Sequence, residues 1–146
     1  MRFSKLFTSA ALSLGMATGA HAEDPTKLIT ILTSADPQTQ LMAMVLTMNA
    51  MNAGADAEVL LCGPAGDIAL ADAPASATTG QPPKDASPQG LIKLLMAQKN
   101  LRVQVCAIYL PAKRMDASVL LEGVTAAAPD AMGAAIVGSN TTVMSF

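Results

Sequence analysis

KLITILTSADP, residues 27–37, joins an apolar run of strand length to the start of a helix. A strand without polar alternation is one covered on both faces. Asp36 followed by Pro37 supplies an N-cap and a proline at the first helical position. The helix runs from about Pro37 to Ala53, with Leu41, Met44, Val45, Met48 and Met51 or Asn52 recurring at helical spacing, and Gly54 is placed to end it. AEVLLC, residues 57–62, reads as a second strand. Strand, helix and strand with short connections form a right-handed parallel unit, so the first two strands are expected to pair.

Further along, Ser87-Pro88 repeats the cap-plus-proline signal before LIKLLMAQKN, a helix ending near Asn100. LRVQVCAIY is β-rich and supplies a third strand. MDASVLLEG suggests a short helix, VTAAA a weak fourth strand, PDAMGAAIVGS a further helix and TTVMSF a fifth strand. This alternation predicts a single α/β domain, a mostly parallel five-stranded sheet flanked by helices in a flavodoxin- or Rossmann-like three-layer arrangement. Between the second strand and Ser87, Gly63 to Leu70 reads as a turn plus a helical fragment. Residues 71–86 carry no sustained period and read as a long flexible loop, which is either a lid or binding loop or a tolerated insertion.

The first 22 residues have the build of a secretory signal: Arg2 and Lys5 form a positive start, a short apolar stretch follows, and Ala20-His21-Ala22 is an A-x-A cleavage site. Cleavage after Ala22 leaves a domain over 23–146 and an exported, periplasmic protein. The apolar stretch is too short and too rich in small polar residues for a bilayer span of about 20 apolar residues, so no membrane association is expected after cleavage. The 9 Lys and Arg, less Arg2 and Lys5, stand against 11 Asp and Glu, so the remaining chain is acidic. Its basic residues are scattered, which argues against nucleic acid as a partner. The only histidine, His21, lies in the signal. The exported chain therefore lacks the commonest general base, any Ser-His or Cys-His nucleophile pair and any His-containing zinc site.

The order of elements, with a thiol ending the third strand, resembles the DsrE/DsrF-like family of small sulfur-relay proteins, which share the YchN-like fold. The resemblance rests on KLITILTS, AMNAGADAEVLLCGPAGDIALADA, SPQGLIKLLMAQKNLRVQVC and AMGAAIVGSNTTVMSF, in which V-x-V-C places a cysteine at Cys106. It implies a five-stranded α/β fold, assembly into homo-oligomeric trimers or hexamers, and a persulfide carried on Cys106 between sulfur donor and acceptor proteins, without metal or organic cofactor. The family's relay members are cytoplasmic, and the residues after the thiol, AIYLPAKRMD, differ from the small, Gly-containing stretch expected there.

The residues themselves leave three readings of Cys106 open. As a working thiol it sits near the carboxyl end of a strand, where chemistry gathers in open α/β sheets, and Lys113 and Arg114 are candidate thiolate stabilisers. As core filler it is a small buried hydrophobe among Val103, Val105 and Ile108, in a non-catalytic oligomeric binding module. As half of a disulfide with Cys62 it suits an oxidising compartment. A flavodoxin-like order, with the first strand between the second and third, would hold Cys62 and Cys106 about 9.5 Å apart, too far for a bridge unless the loops fold inward. Cys62 would then serve as a resolving or second relay thiol if its loop moved. A periplasmic Cu(I)-binding protein is a further alternative, using soft Met and Cys ligands from the helix bearing Met42, Met44, Met48 and Met51. Met44, Met48 and Met51 share one face, which core packing also claims.

Overall fold

A computed structural model describes residues 26–146. The expected signal, 1–22, lies outside the described residues. Five parallel strands, β1 (Lys27–Leu32), β2 (Asp56–Leu61), β3 (Arg102–Val105), β4 (Thr125–Ala126) and β5 (Thr141–Ser145), form one sheet in the order β4-β3-β2-β1-β5. The helices are α1 (Pro37–Asn52), α2 (Ala75–Thr78), α3 (Pro88–Lys99), α4 (Tyr109–Lys113) and α5 (Pro129–Ile136). The α/β architecture read from the alternation of elements is the one observed.

β1 is continuous in apolar residues because it is central, with β2 on one side and β5 on the other. Leu28, Ile29, Thr30 and Leu32 are all buried. Asp36 caps α1 by accepting the Thr39 N–H at 2.8 Å, and Pro37 occupies the first turn. Gly54, at φ +101, turns the chain out of the helix while the Ala55 N–H bonds back to Ala50 O. At α3, Ser87 accepts the Gly90 N–H at 3.1 Å and Asn100 ends the helix in the left-handed region at φ 56.

Two helical segments depart from the sequence reading. The face of α1 that covers the sheet is Gln40, Ala43, Met44 and Thr47, whereas Met48 and Met51 are only half-buried. Thr47 is fully bonded there, whereas Gln40 donates its Nε2 to Ser34 O at 2.8 Å and leaves its Oε1 without a partner among the described residues. Thr47 Oγ1 donates to Ala43 O at 2.8 Å and lies 2.7 Å from Thr30 Oγ1, which is left as the donor of that second bond. MDASVLLEG contains no α-helix; it holds a single 3-10 turn, Ala117–Val119. Its backbone is drawn instead into an antiparallel bridge, Ala71 N–H to Val119 O and Leu121 N–H to Ala69 O, both at 2.8 Å.

Gly63 to Leu70 is a 3-10 helix, Gly63–Ala69, and its end. Buried Gln89 clamps it from α3, its Nε2 donating to Ile68 O at 2.9 Å and Leu70 O at 2.8 Å. The stretch 71–86 contains α2, whose Ala77 is buried, and a Gln81–Ala86 bridge around a cis Pro82-Pro83 bond.

The connections β1-α1-β2 and β2-α3-β3 advance across the sheet in one direction, and the chain then returns through α5 to place β5 on the free edge of β1. α1 and α3 cover the face carrying Leu28, Leu32, Val59, Leu61, Val103 and Val105. α5 covers the other face, where Met132 packs with Ile29, Leu60 and Ala127.

Candidate functional site

The strand order overturns the expectation that β1 separates the two cysteine-bearing strands. β2 pairs directly with β3, and the last paired step is Leu61 with Val105. One residue further, Cys62 and Cys106 stand opposite each other. The ladder bonds persist to that point, with Cys62 N–H to Leu32 O and Cys106 N–H to Leu61 O, each 2.9 Å. Alternation along the strands sends both side chains to the α5 face, where they pack beside Ile29, Leu60 and Met132. Their Cα atoms are 5.1 Å apart and the two form a disulfide. That separation is close to the spacing of neighbouring strands and within the range a bridge requires. The distance of about 9.5 Å expected from two intervening strand spacings does not arise, because β3 is added beside β2. Both cysteines are half-buried.

Each cysteine leads into a loop, and the two loops are locked together beyond the bridge. Tyr109, in the turn of helix after Cys106, is 4% exposed and donates its hydroxyl to Asp67 Oδ1 at 2.7 Å. Asp67 lies in the 3-10 turn after Cys62. The Lys113 ammonium donates to the same carboxylate oxygen and sits 5.2 Å from the centre of the Tyr109 ring. Gly66 packs directly against that ring: a Cβ there would stand 2.2 Å from Tyr109 Cε2. Burial, then the bond to Asp67 and its negative charge, raise the Tyr109 pKa above the ordinary phenol value, so the hydroxyl remains a donor.

Of the candidate thiolate stabilisers, Lys113 is engaged by Asp67, which offsets its charge. Arg114 is exposed at φ 57 and makes no ion pair among the described residues. Asp67, Tyr109 and Gly66 were not singled out in the sequence. Their signal was available only as offsets, an acid five residues after Cys62 and a tyrosine three after Cys106, and nothing local ties the one to the other.

At the opposite, amino-terminal end of the strands, buried Glu58 lies 3.4 Å from Lys27 and 3.6 Å from Arg102, and Arg102 also reaches Asp56 at 3.2 Å. Two cavities open elsewhere. One of about 420 Å³ lies between α1 and residues 81–86, lined by Leu41, Met42, Val45, Met48, Pro82 and Pro83. Another of about 440 Å³ is bounded by Lys93, Met96 and Leu121 to Gly123. Neither contains a cysteine. Met44, one of the four methionines considered for Cu(I), is fully enclosed at 0% exposure. No three His, Cys, Asp or Glu side chains converge on a metal-sized space among the described residues.

No protein-family model and no curated protein matches the chain. Solved structures do. The ychN protein from E. coli aligns over 84% of this chain and 100% of its own, with 15% identity and a TM-score of 0.63. MTH1491 from Methanobacterium thermoautotrophicum, a protein of unknown function, aligns over 84% of this chain and 100% of its own, with 19% identity and a TM-score of 0.58. At these identities the likeness is one of fold, and the fold is YchN-like.

Proposed function

We propose that the chain is an exported sulfur-handling protein of the DsrE-like type, in which Cys106 accepts sulfane sulfur as a persulfide. The observation that carries the reading is the seat of Cys106. It lies at the carboxyl end of an inner strand, half-buried, two residues before Ile108, which is 77% exposed. Reactive groups of open α/β sheets gather at that edge. In the reduced protein the Cys106 thiolate attacks the outer sulfur of a donor persulfide. The donor's S–S bond breaks, its thiolate leaves with the electron pair, and Cys106 keeps the transferred sulfur. The exchange requires neither histidine nor metal. Of the two basic candidates for stabilising the thiolate, Arg114 makes no ion pair among the described residues, and Lys113 is the weaker because Asp67 engages it. The donor is a protein or small-molecule persulfide and the acceptor a protein thiol, both meeting the Ile108 rim.

The proposal includes self-association into a trimer or hexamer. It is supported by the apolar side chains left open at the β5 side of the sheet, Val137 at 81% and Val143 at 39% exposure. Light scattering coupled to size-exclusion chromatography tests it, and a monomer at micromolar concentration would remove it.

Intact-mass measurement tests the carrier reading. The protein is reduced, freed of reductant and given an organic persulfide. Uptake of sulfur by the wild type that disappears in Cys106→Ser is the expected result, and two thiols indifferent to the donor would overturn it.

The bridge itself favours a second reading, a binding module in which Cys62–Cys106 is a permanent staple. Closing a loop with a sequence separation of 44 stabilises a fold by about 4 kcal/mol in the chain-entropy model. A staple predicts that reduction collapses the melting transition, whereas a working pair predicts a reduced protein that is less stable but folded.

A further inference from the structure

We infer that Cys62 is a resolving thiol, so that sulfur held on Cys106 leaves as hydrosulfide while a Cys62–Cys106 disulfide closes behind it. This rests on the carrier reading and adds an activity to it: the chain reduces persulfide sulfur to sulfide instead of only passing it on.

The geometry of the bridge selects the step. Cys62 and Cys106 are adjacent across a parallel ladder whose hydrogen bonds hold both backbones, and the Cα atoms stand 5.1 Å apart. The Cys62 N–H is tied to Leu32 O and its carbonyl accepts the Ala65 N–H, so the residue is held at both ends. From there its sulfur reaches Cys106 Sγ without backbone movement, and in the in-line approach of thiol exchange the outer sulfur of a persulfide lies about 2 Å beyond Sγ, one S–S bond length, as the leaving group. Attack therefore falls on the inner sulfur. The Cys62 thiolate pair forms the new bond to Cys106 Sγ, the bond from Sγ to the outer sulfur breaks, and the outer sulfur departs with its electron pair as hydrosulfide. The transferred sulfur is reduced and the two cysteine sulfurs are oxidised to the disulfide. An external dithiol of the oxidoreductase class then exchanges with the bridge, becomes a disulfide itself and restores both thiols.

The surroundings suit such a cycle. Gly63, next to Cys62, has φ +53 and open space where a side chain would stand, so no side chain crowds the chain as it leaves Cys62. The bond from Tyr109 to Asp67 ties together the two loops that leave the cysteines and keeps the thiols opposed after reduction.

The test is a single-turnover reaction of the reduced full-length exported chain with one equivalent of cysteine persulfide, quenched by alkylation. Hydrosulfide and intact mass are both read, and background is taken from the variant with both cysteines changed to serine. The wild type is expected to release close to one hydrosulfide per chain and to end lighter by two hydrogens. Cys62→Ser should retain one additional sulfur and release hydrosulfide about tenfold more slowly, because its persulfide has no internal thiol to meet. A wild type that holds the extra sulfur as long as Cys62→Ser overturns the inference and leaves the carrier reading standing. Release from Cys106→Ser at the wild-type rate overturns the inference and the carrier role of Cys106 together. If neither wild type nor Cys62→Ser takes up sulfur or yields hydrosulfide, the carrier reading fails as well. Loss of the folded state on reduction, seen by circular dichroism, also overturns the inference, since the cycle passes through the dithiol.

Discussion

Replacing Gly66 by alanine places a methyl group where the Tyr109 ring already stands. The new carbon would lie 2.2 Å from Cε2, 2.3 Å from Cδ2 and 2.7 Å from Cζ. Carbon atoms rest comfortably at about 3.5 to 4.0 Å, so the ring or the 3-10 turn must give by about 1.5 Å. The ring has little room, being 4% exposed, and its hydroxyl is held at 2.7 Å by Asp67. Forcing an extra carbon into a packed site costs about 1–3 kcal/mol. Dragging the hydroxyl off Asp67 adds about 1 kcal/mol, below the roughly 1.5–3 kcal/mol usual for a bond to a charged group because Lys113 still serves the carboxylate. The expected loss is about 2–4 kcal/mol, which for a domain of this size lowers the melting temperature by roughly 6–15 °C. The assay is thermal unfolding of the oxidised protein, run on Gly66→Ala, Tyr109→Leu and the pair. Leucine vacates the ring positions, so in that background the alanine should cost under about 0.5 kcal/mol, leaving a coupling of at least about 1.5 kcal/mol. A single-variant shift below about 2 °C, or equal costs in the two backgrounds, would refute the close approach.

Thr47→Val removes the acceptor for the Thr30 hydroxyl inside the core and should destabilise by about 1–3 kcal/mol; in denaturant unfolding the Thr30→Val, Thr47→Val double variant should recover part of that loss, and a double variant worse than the sum counts against a satisfied hydroxyl pair. Gln89→Leu strips the amide donor from Ile68 O and Leu70 O, with an expected cost of about 2–4 kcal/mol, and hydrogen exchange should show the 63–70 segment opening before the strands do. The Thr39 hydrogen bonds hold the Asp36 pKa below its ordinary value of 3.8, so this cap stabilises the fold above that value and loses its contribution as pH falls through the lowered folded pKa. Melting temperatures from pH 5 downward (about the upper edge of that window) should fall less for Asp36→Asn than for the wild type, and parallel curves would remove the assignment.

The architecture was legible where local chemistry decides it. The strand at 27–32, the Asp36-Pro37 and Ser87-Pro88 caps, and the left-handed Asn100 each act within a few residues of themselves. What escaped depends on residues far apart. A βαβ unit specifies parallel pairing and handedness, but it does not say on which side the next strand joins. β3 adds beside β2, and that one choice turns a pair of cysteines that could not meet into neighbours 5.1 Å apart. The α1 face was misread because hydropathy favours Met48 and Met51, while the buried positions include Gln40 and Thr47. Gln40 Nε2 reaches Ser34 O at 2.8 Å, and Thr47 finds Thr30. Asp67 and Tyr109 look like ordinary loop residues until the strand order brings their loops into contact.

That same strand order governs how the chain must fold. β1 is completed on one side by β2, which follows after a single helix, but its other edge waits for β5, after every remaining element has been made. Until then β1 presents an unpaired edge, with Ile29 and Ile31 uncovered by α5, the kind of template on which other chains add strands. Pairing across so long a sequence separation is also slow, since the closure entropy must be met before the contact forms. A chain shortened before Thr141 would keep the cysteines, the Tyr109 lock and the α1–α3 layer yet leave β1 open. Aggregation during refolding, rather than loss of the sulfur site, would be its characteristic defect.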